Sequence, residues 1–221
     1  MTTQLGPLEC TNAARKNQKD WFNGFRRRVL EENEPYVIAS AVAPHEIFHT
    51  MDVPVVSIPW YSAVISAKQQ SAYYFSMMDE LGYHDGLPRY NTLPYFSTLD
   101  GDPDRAPYGG LPKPAMIVER LRSDYAQRVT ELWADEYGCP YFLMDAPALT
   151  RLLPGWHKRN QHGWEELYES HRLDFQVQQL EAMIRAGEDA TGKSFCHTRF
   201  RQEMENVNRL GELIAETRDI I

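Results

Sequence analysis

His45-Glu46-Ile47-Phe48-His49 is the string in this chain whose residue types and spacing read most directly as chemistry. On a helix, histidines at i and i+4 share a face, so both imidazoles can hold zinc while the glutamate between them activates water. That reading gives a zinc hydrolase with His45 and His49 as ligands and Glu46 as base. The flanking residues oppose it. Pro44 opens the helix and Asp52 with Pro54 closes it, whereas the motif normally sits within a long helix. Asp52 stands where the extended form of the motif has glycine, and Val55 where it has a third histidine. Glu80 is the nearest substitute, at the far end of the next helical stretch. The alternative is a strand-to-helix mouth, where unpaired helix N–H groups favour polar and anionic partners. No metal ligand is assigned.

The elements that must position these residues follow from periodicity. Trp21, Phe22, Phe25, Val29 and Leu30 recur at helical spacing within 12–32, and Pro35 stops that helix. Tyr36 to Val42 is β-prone, Pro44 opens a short helix that ends near Met51, and Val53 to Ile58 is a second strand. Ser62 to Leu81 reads as one long helix. The stretch 82–114 is polar and rich in proline and glycine, a long loop of the kind that carries function. Ala115 to Val118 is strand three, Ser123 to Tyr137 a helix and Pro140 to Met144 strand four. Beyond Pro154 come two long helices, Trp164 to Ala186 and Thr198 to Ile220, separated at Gly187 to Gly192.

Alternating strands and helices predict an α/β fold, a four-stranded parallel Rossmann-like sheet flanked by helices with a two-helix C-terminal extension. Three segments are expected: an N-terminal helical segment at 1–34, the α/β domain at 35–150 and the helical extension at 151–221. In such sheets ligands bind at the strand carboxyl ends, here 43–46, 59–62, 119–124 and 145–147.

Composition narrows the function classes. The 221 residues have a net charge of −8, which gives no support to nucleic-acid or anionic-lipid binding. Arg26-Arg27-Arg28 is followed by Glu31, Glu32 and Glu34 and reads as a solvated face. No stretch is apolar enough to span a bilayer, and 1–7 does not read as a signal peptide, so the expected location is cytoplasmic. Cys10, Cys139 and Cys196 are widely spaced and odd in number, which argues against a disulfide framework or a self-contained thiolate metal site. His157, His162, His171 and His197 read as surface or structural residues. Dinucleotide, P-loop and nucleophile-elbow signatures are absent.

The segments PHEIFHTMDVPVV, WYSAVISAKQ, YYFSMMDELGY, APYGGLPKP and YGCPYFLMDAP, in that order and spacing, resemble the 2-hydroxyacyl-CoA dehydratase / benzoyl-CoA reductase family, whose members include the D-component of 2-hydroxyglutaryl-CoA dehydratase. The likeness is strongest to the benzoyl-CoA reductase side. It spans nearly the whole chain but only the first half of a typical family subunit. It implies paired subunits that bind an acyl-CoA thioester and hold iron–sulfur clusters through cysteines, fed with electrons by a separate ATP-hydrolysing activator. This chain departs from that pattern: Asn91 stands where the family has its first cluster cysteine, and Ser123 with Asp124 where a second is expected.

With those thiolates replaced, the expectation is a cluster-free subunit of an acyl-CoA-processing heterodimer, acting on an aromatic or dicarboxylic acyl-CoA by non-redox hydration or dehydration. Any iron–sulfur cluster would belong to a typical relative or a homologous partner subunit. His45 and Glu46 are the expected proton-transfer pair, Trp60 and Tyr61 an aromatic wall for the acyl group, and Asn91 and Ser123 hydrogen-bond donors to the thioester carbonyl. A non-catalytic structural or regulatory partner is the competing expectation.

Overall fold

Four short, mainly apolar runs become the strands of the computed structural model, which describes residues 9–84, 86, 88–145, 153–159 and 163–218. The chain divides into two units, Met1–Pro35 and Tyr36–Ile221. In the first, α1 (Glu9–Arg26) continues into a π-helical turn at Arg27–Glu31, with Trp21 and Phe25 stacked at 5.8 Å. Arg28 is tied to Glu34 at 2.6 Å.

The second unit is built on β1 (Val37–Ala39), β2 (Val55–Ser57), β3 (Met116–Arg120) and β4 (Tyr141–Met144), all parallel in the order β2-β1-β3-β4. Short strands buried on both faces are typical of parallel sheets, and β1 is fully buried along its length. Between β1 and β2 lies α2 (Glu46–Thr50). Between β2 and β3 lie α3 (Ile58–Ala67), α4 (Ser71–Glu80) and α5 (Leu93–Asp100). α6 (Asp124–Tyr137) joins β3 to β4, and α7 (Trp156–Arg159), α8 (Ser170–Thr191) and α9 (His197–Arg218) follow.

One face of the sheet buries Val37, Ala39, Met116 and Val118 under Ile47, Phe48 and Met51 of α2 and Met183 of α8. By strand alternation, Ile38, Val56, Ile117 and Glu119 point to the other face. α9 packs on α2 through Phe200 and the His49–Glu203 pair at 3.5 Å. Among the described residues no helix is long and apolar enough to cross a membrane.

Three sequence expectations change. The single helix over 62–81 is two, broken at Lys68–Gln70. Gln69 takes a left-handed φ of 59°, and the Gln70 amide donates to the Arg105 carbonyl. The loop over 82–114 contains α5, whose Leu93, Pro94, Tyr95, Phe96 and Ser97 are all buried. The break expected at 187–192 is instead continuous helix to Thr191, because Gly187 lets α8 press on Phe48. A Cβ there would lie 3.0 Å from Phe48 Cε1.

The glycine-proline stretch before β3 is fastened by phenols. Tyr61 donates to Pro107 O at 3.0 Å, Tyr137 to Leu111 O at 2.8 Å, and Tyr36 to Pro112 O. Proline has no N–H and glycine no side chain, so the carbonyls of this stretch need donors from elsewhere.

Candidate functional site

β1 has β2 on one side and β3 on the other, so the strand order reverses between β1 and β3. The crevice beyond the carboxyl ends of those two strands is where an open parallel sheet binds ligands. Its walls are the loop 41–45, which leads into α2, and the end of β3 with its following turn, 119–123.

Ser40, fully buried at the end of β1, is the hub of the crevice. Its backbone N–H donates to Val118 O at 3.0 Å, extending the β1–β3 ladder by one rung. Its hydroxyl bonds the Glu119 carboxyl and lies 3.4 Å from the Arg120 backbone N. Its carbonyl accepts from His45 Nε2 at 2.8 Å. A carbonyl can only accept, so Nε2 carries a hydrogen and Nδ1 is the basic nitrogen of the His45 ring.

Glu119 is only 1% exposed. Its Oε1 accepts the Arg120 backbone N–H at 2.9 Å and faces Arg122 Nε at 3.5 Å. Burial raises its pKa above the ordinary carboxylate value, opposed by the Ser40 hydroxyl, the Arg120 amide and the Arg122 guanidinium.

A cleft of about 430 Å³ opens beside this network, on the face covered by α2 and α8. Ala41, Val42, Ala43 and Pro44 from the β1–α2 loop, Met144 at the end of β4 and Leu180 of α8 give it apolar walls. Glu46, Arg120 and Gln176 supply its polar groups.

Of the residues expected from sequence, Glu46 lines this cleft and His45 stands beside it as the residue before α2. Trp60 is half-buried next to Tyr61, with ring centroids 6.3 Å apart. Tyr61 lies in the core at 1% exposure, its hydroxyl committed to Pro107 O. Asn91 sits half-buried in the turn Tyr90–Thr92, which packs on α3 and is tied to Pro59 O by the Tyr90 hydroxyl at 3.1 Å. Ser123 caps α6, its Oγ accepting the Ala126 N–H at 3.2 Å. None of Trp60, Tyr61, Asn91 or Ser123 lines the 430 Å³ cleft. Pro147 and His162 lie outside the described residues.

Sequence reasoning missed Ser40, Glu119, Arg120 and Gln176 as a group. Glu119 carried a signal, a charged residue continuing an otherwise apolar strand, and 119–124 was already marked as a strand end. Gln176 carried none, since α8 reaches the crevice only through tertiary packing.

A family model described as 2-hydroxyglutaryl-CoA dehydratase, D-component, matches residues 40–221. The chain belongs to that family. None of the curated proteins matches it. The match to this dehydratase family begins at Ser40, so the crevice and both its walls fall inside it.

An iron–sulfur cluster of the kind the resemblance implies would need cysteine thiolates gathered at one place. Among the described residues no cysteine stands on the loops at the strand carboxyl ends. Cys139 precedes β4, at the opposite end of the sheet, and burial pushes its thiol pKa up. Cys196 precedes α9 and Cys10 lies in the first unit. The residues at the crevice therefore do not fit a cluster. Among the described residues no three histidine, cysteine or acidic side chains converge as a metal ion would require.

Proposed function

We propose that this dehydratase-family chain is a cluster-free subunit that binds an acyl-CoA thioester in the strand-end cleft. With a homologous subunit it adds or removes water without electron transfer. One observation carries the reading: Glu46 lines a cleft of mixed apolar and polar walls at the switch point of the sheet.

In an elimination of this type, the proton on the carbon next to the thioester carbonyl passes to a base. The hydroxyl on the following carbon leaves as water after taking up a proton. Glu46 is the base, and His45 gives the second proton from Nδ1, where it has first taken one up from solvent, and receives it there in hydration, its other nitrogen being held by Ser40 O. Hydration runs the same transfers backward. Neither direction changes the oxidation level summed over substrate and water, so no electron donor is needed. A partner subunit is supported by the name of the family, that of an enzyme component, and by the exposed Leu210, Leu213 and Ile214 along α9.

The second reading, a structural or regulatory partner, is favoured by side chains already engaged in holding the fold: His45 on Ser40 and Ser123 on α6. The test is to purify the chain without oxygen, alone and with a homologous subunit, and to measure iron, acyl-CoA binding and exchange of labelled water into the acyl chain. Exchange lost in Glu46→Gln with binding retained supports the enzyme reading. Exchange unaffected by that substitution supports the structural one. Stoichiometric iron in the isolated chain overturns the cluster-free assignment.

A further inference from the structure

Arg120 ends β3 with its backbone fixed from two sides, by Glu119 Oε1 at 2.9 Å and Ser40 Oγ at 3.4 Å. Its side chain lies on the opposite face of the strand from Glu119 and lines the cleft. Among the described residues no carboxylate lies within ion-pair distance of its guanidinium. The neighbouring Arg122 is the one paired with Glu119. Across the cleft, Gln176 of α8 has a sulfur, Met144 Sδ at 4.0 Å, as the acceptor for its amide, which is a weak partner. A half-buried arginine and a weakly engaged amide thus line an open cleft of about 430 Å³ whose other walls are alanine, valine, proline, methionine, leucine and Glu46.

A guanidinium in such a place is matched by an oxyanion that fills its planar fork, since paired N–H···O⁻ bonds are short, directional and charge-assisted. We propose that Arg120, assisted by Gln176, is an oxyanion-binding subsite of the cleft, holding a carboxylate or a phosphate of the ligand. Glu46 lines the same cleft and repels a like charge, so the oxyanion lies on the Arg120 side and the uncharged reacting segment toward Glu46. Glu119 acts as a positioning residue, setting the backbone from which the guanidinium projects. As a statement about an acyl-CoA this rests on the function proposed above; as a statement about an oxyanion it does not.

The test uses the full chain and calorimetric titration with two free probes, glutarate and inorganic phosphate. Three thioesters follow: butyryl-pantetheine, glutaryl-pantetheine and butyryl-CoA. Wild type is expected to bind at least one free probe, and Arg120→Ala to weaken it about tenfold or more. Arg120→Lys keeps the charge but not the fork and recovers only part of that loss. If Arg120→Ala does not fold, Arg120→Gln and Gln176→Ala serve in its place. Tighter binding of glutaryl- than butyryl-pantetheine, lost in Arg120→Ala, assigns the subsite to an acyl carboxylate. Tighter binding of butyryl-CoA than butyryl-pantetheine, lost in the same variant, assigns it to a phosphate. Free-probe binding that depends on Arg120 without any thioester binding keeps the oxyanion subsite and overturns the acyl-CoA reading. Failure of wild type to bind either free probe, or equal binding by wild type and the Arg120 variants, overturns the subsite.

Discussion

Removing the Glu119 carboxyl should unsettle both strands that form the crevice. In Glu119→Ala the fully buried Ser40 hydroxyl loses its side-chain partner, and the Arg120 N–H keeps only the 3.4 Å contact to Ser40 Oγ. Each buried group left without a partner costs about 1–3 kcal/mol, and the long contact recovers part of one, so the loss is about 2–4 kcal/mol. Glu119→Gln keeps an oxygen acceptor for the amide and the hydroxyl and removes a buried charge, while giving up the Arg122 pair. It should fall within about 1 kcal/mol of wild type at neutral pH. The assay is urea unfolding followed by far-UV circular dichroism.

The pH dependence has a definite sign. Burial raises the Glu119 pKa in the folded chain, so the folded state takes up this proton at a higher pH than the unfolded chain does. The resulting stabilisation is complete below the unfolded value and is lost as pH rises through the folded one. Wild type should therefore gain on Glu119→Gln as pH is lowered from neutrality toward 4.5. Two results would refute the reasoning: Glu119→Ala no less stable than Glu119→Gln, or a stability difference between Glu119→Gln and wild type that grows in favour of Gln as the solution is acidified.

Three further outcomes are expected. The same substitution should act in opposite directions at two helical glycines. Gly187→Ala places a methyl 3.0 Å from buried Phe48 and should destabilise by about 1–2 kcal/mol net. Gly211→Ala on α9 meets nothing within 4 Å and should raise the melting temperature by about 2–4 °C. Tyr61→Phe should cost about 1–2 kcal/mol in thermal unfolding, because Pro107 O loses its buried donor; no change in unfolding would show that bond to be dispensable. Iodoacetamide at mildly alkaline pH should alkylate Cys196 before Cys139. Backbone N–H groups of Arg199 and Thr198 lower the first thiol, whereas burial raises the second. Peptide mass spectrometry over time checks the order.

Periodicity made the sheet legible because each strand carries an aliphatic or aromatic run (VIA, VV, MIV and YFLM), and the helix expected from Ser123 is α6, which Ser123 caps. α5 was not legible. Its buried face is supplied by Tyr95, Phe96 and a proline within ten residues of further prolines and glycines, a composition that local rules assign to loop. Gly187 misled in the opposite sense, since the helix needs it for contact with Phe48 rather than for a turn. At the site, Glu46 and His45 stood out as a motif, while Arg120 and Gln176 acquire meaning only when β3 and α8 meet.

Ser40 and Arg120 are 80 residues apart along the chain, and no contact between neighbouring segments can bring them together. Closing so long a loop carries an entropic cost that must be met before β3 can join β1, which places this event late in self-assembly. The crevice is consequently absent from any partly organised species that has formed only β1, α2 and β2. Recovery of ligand affinity after dilution from denaturant should therefore lag behind recovery of helical signal, and the interval between them times the arrival of the central strand pair.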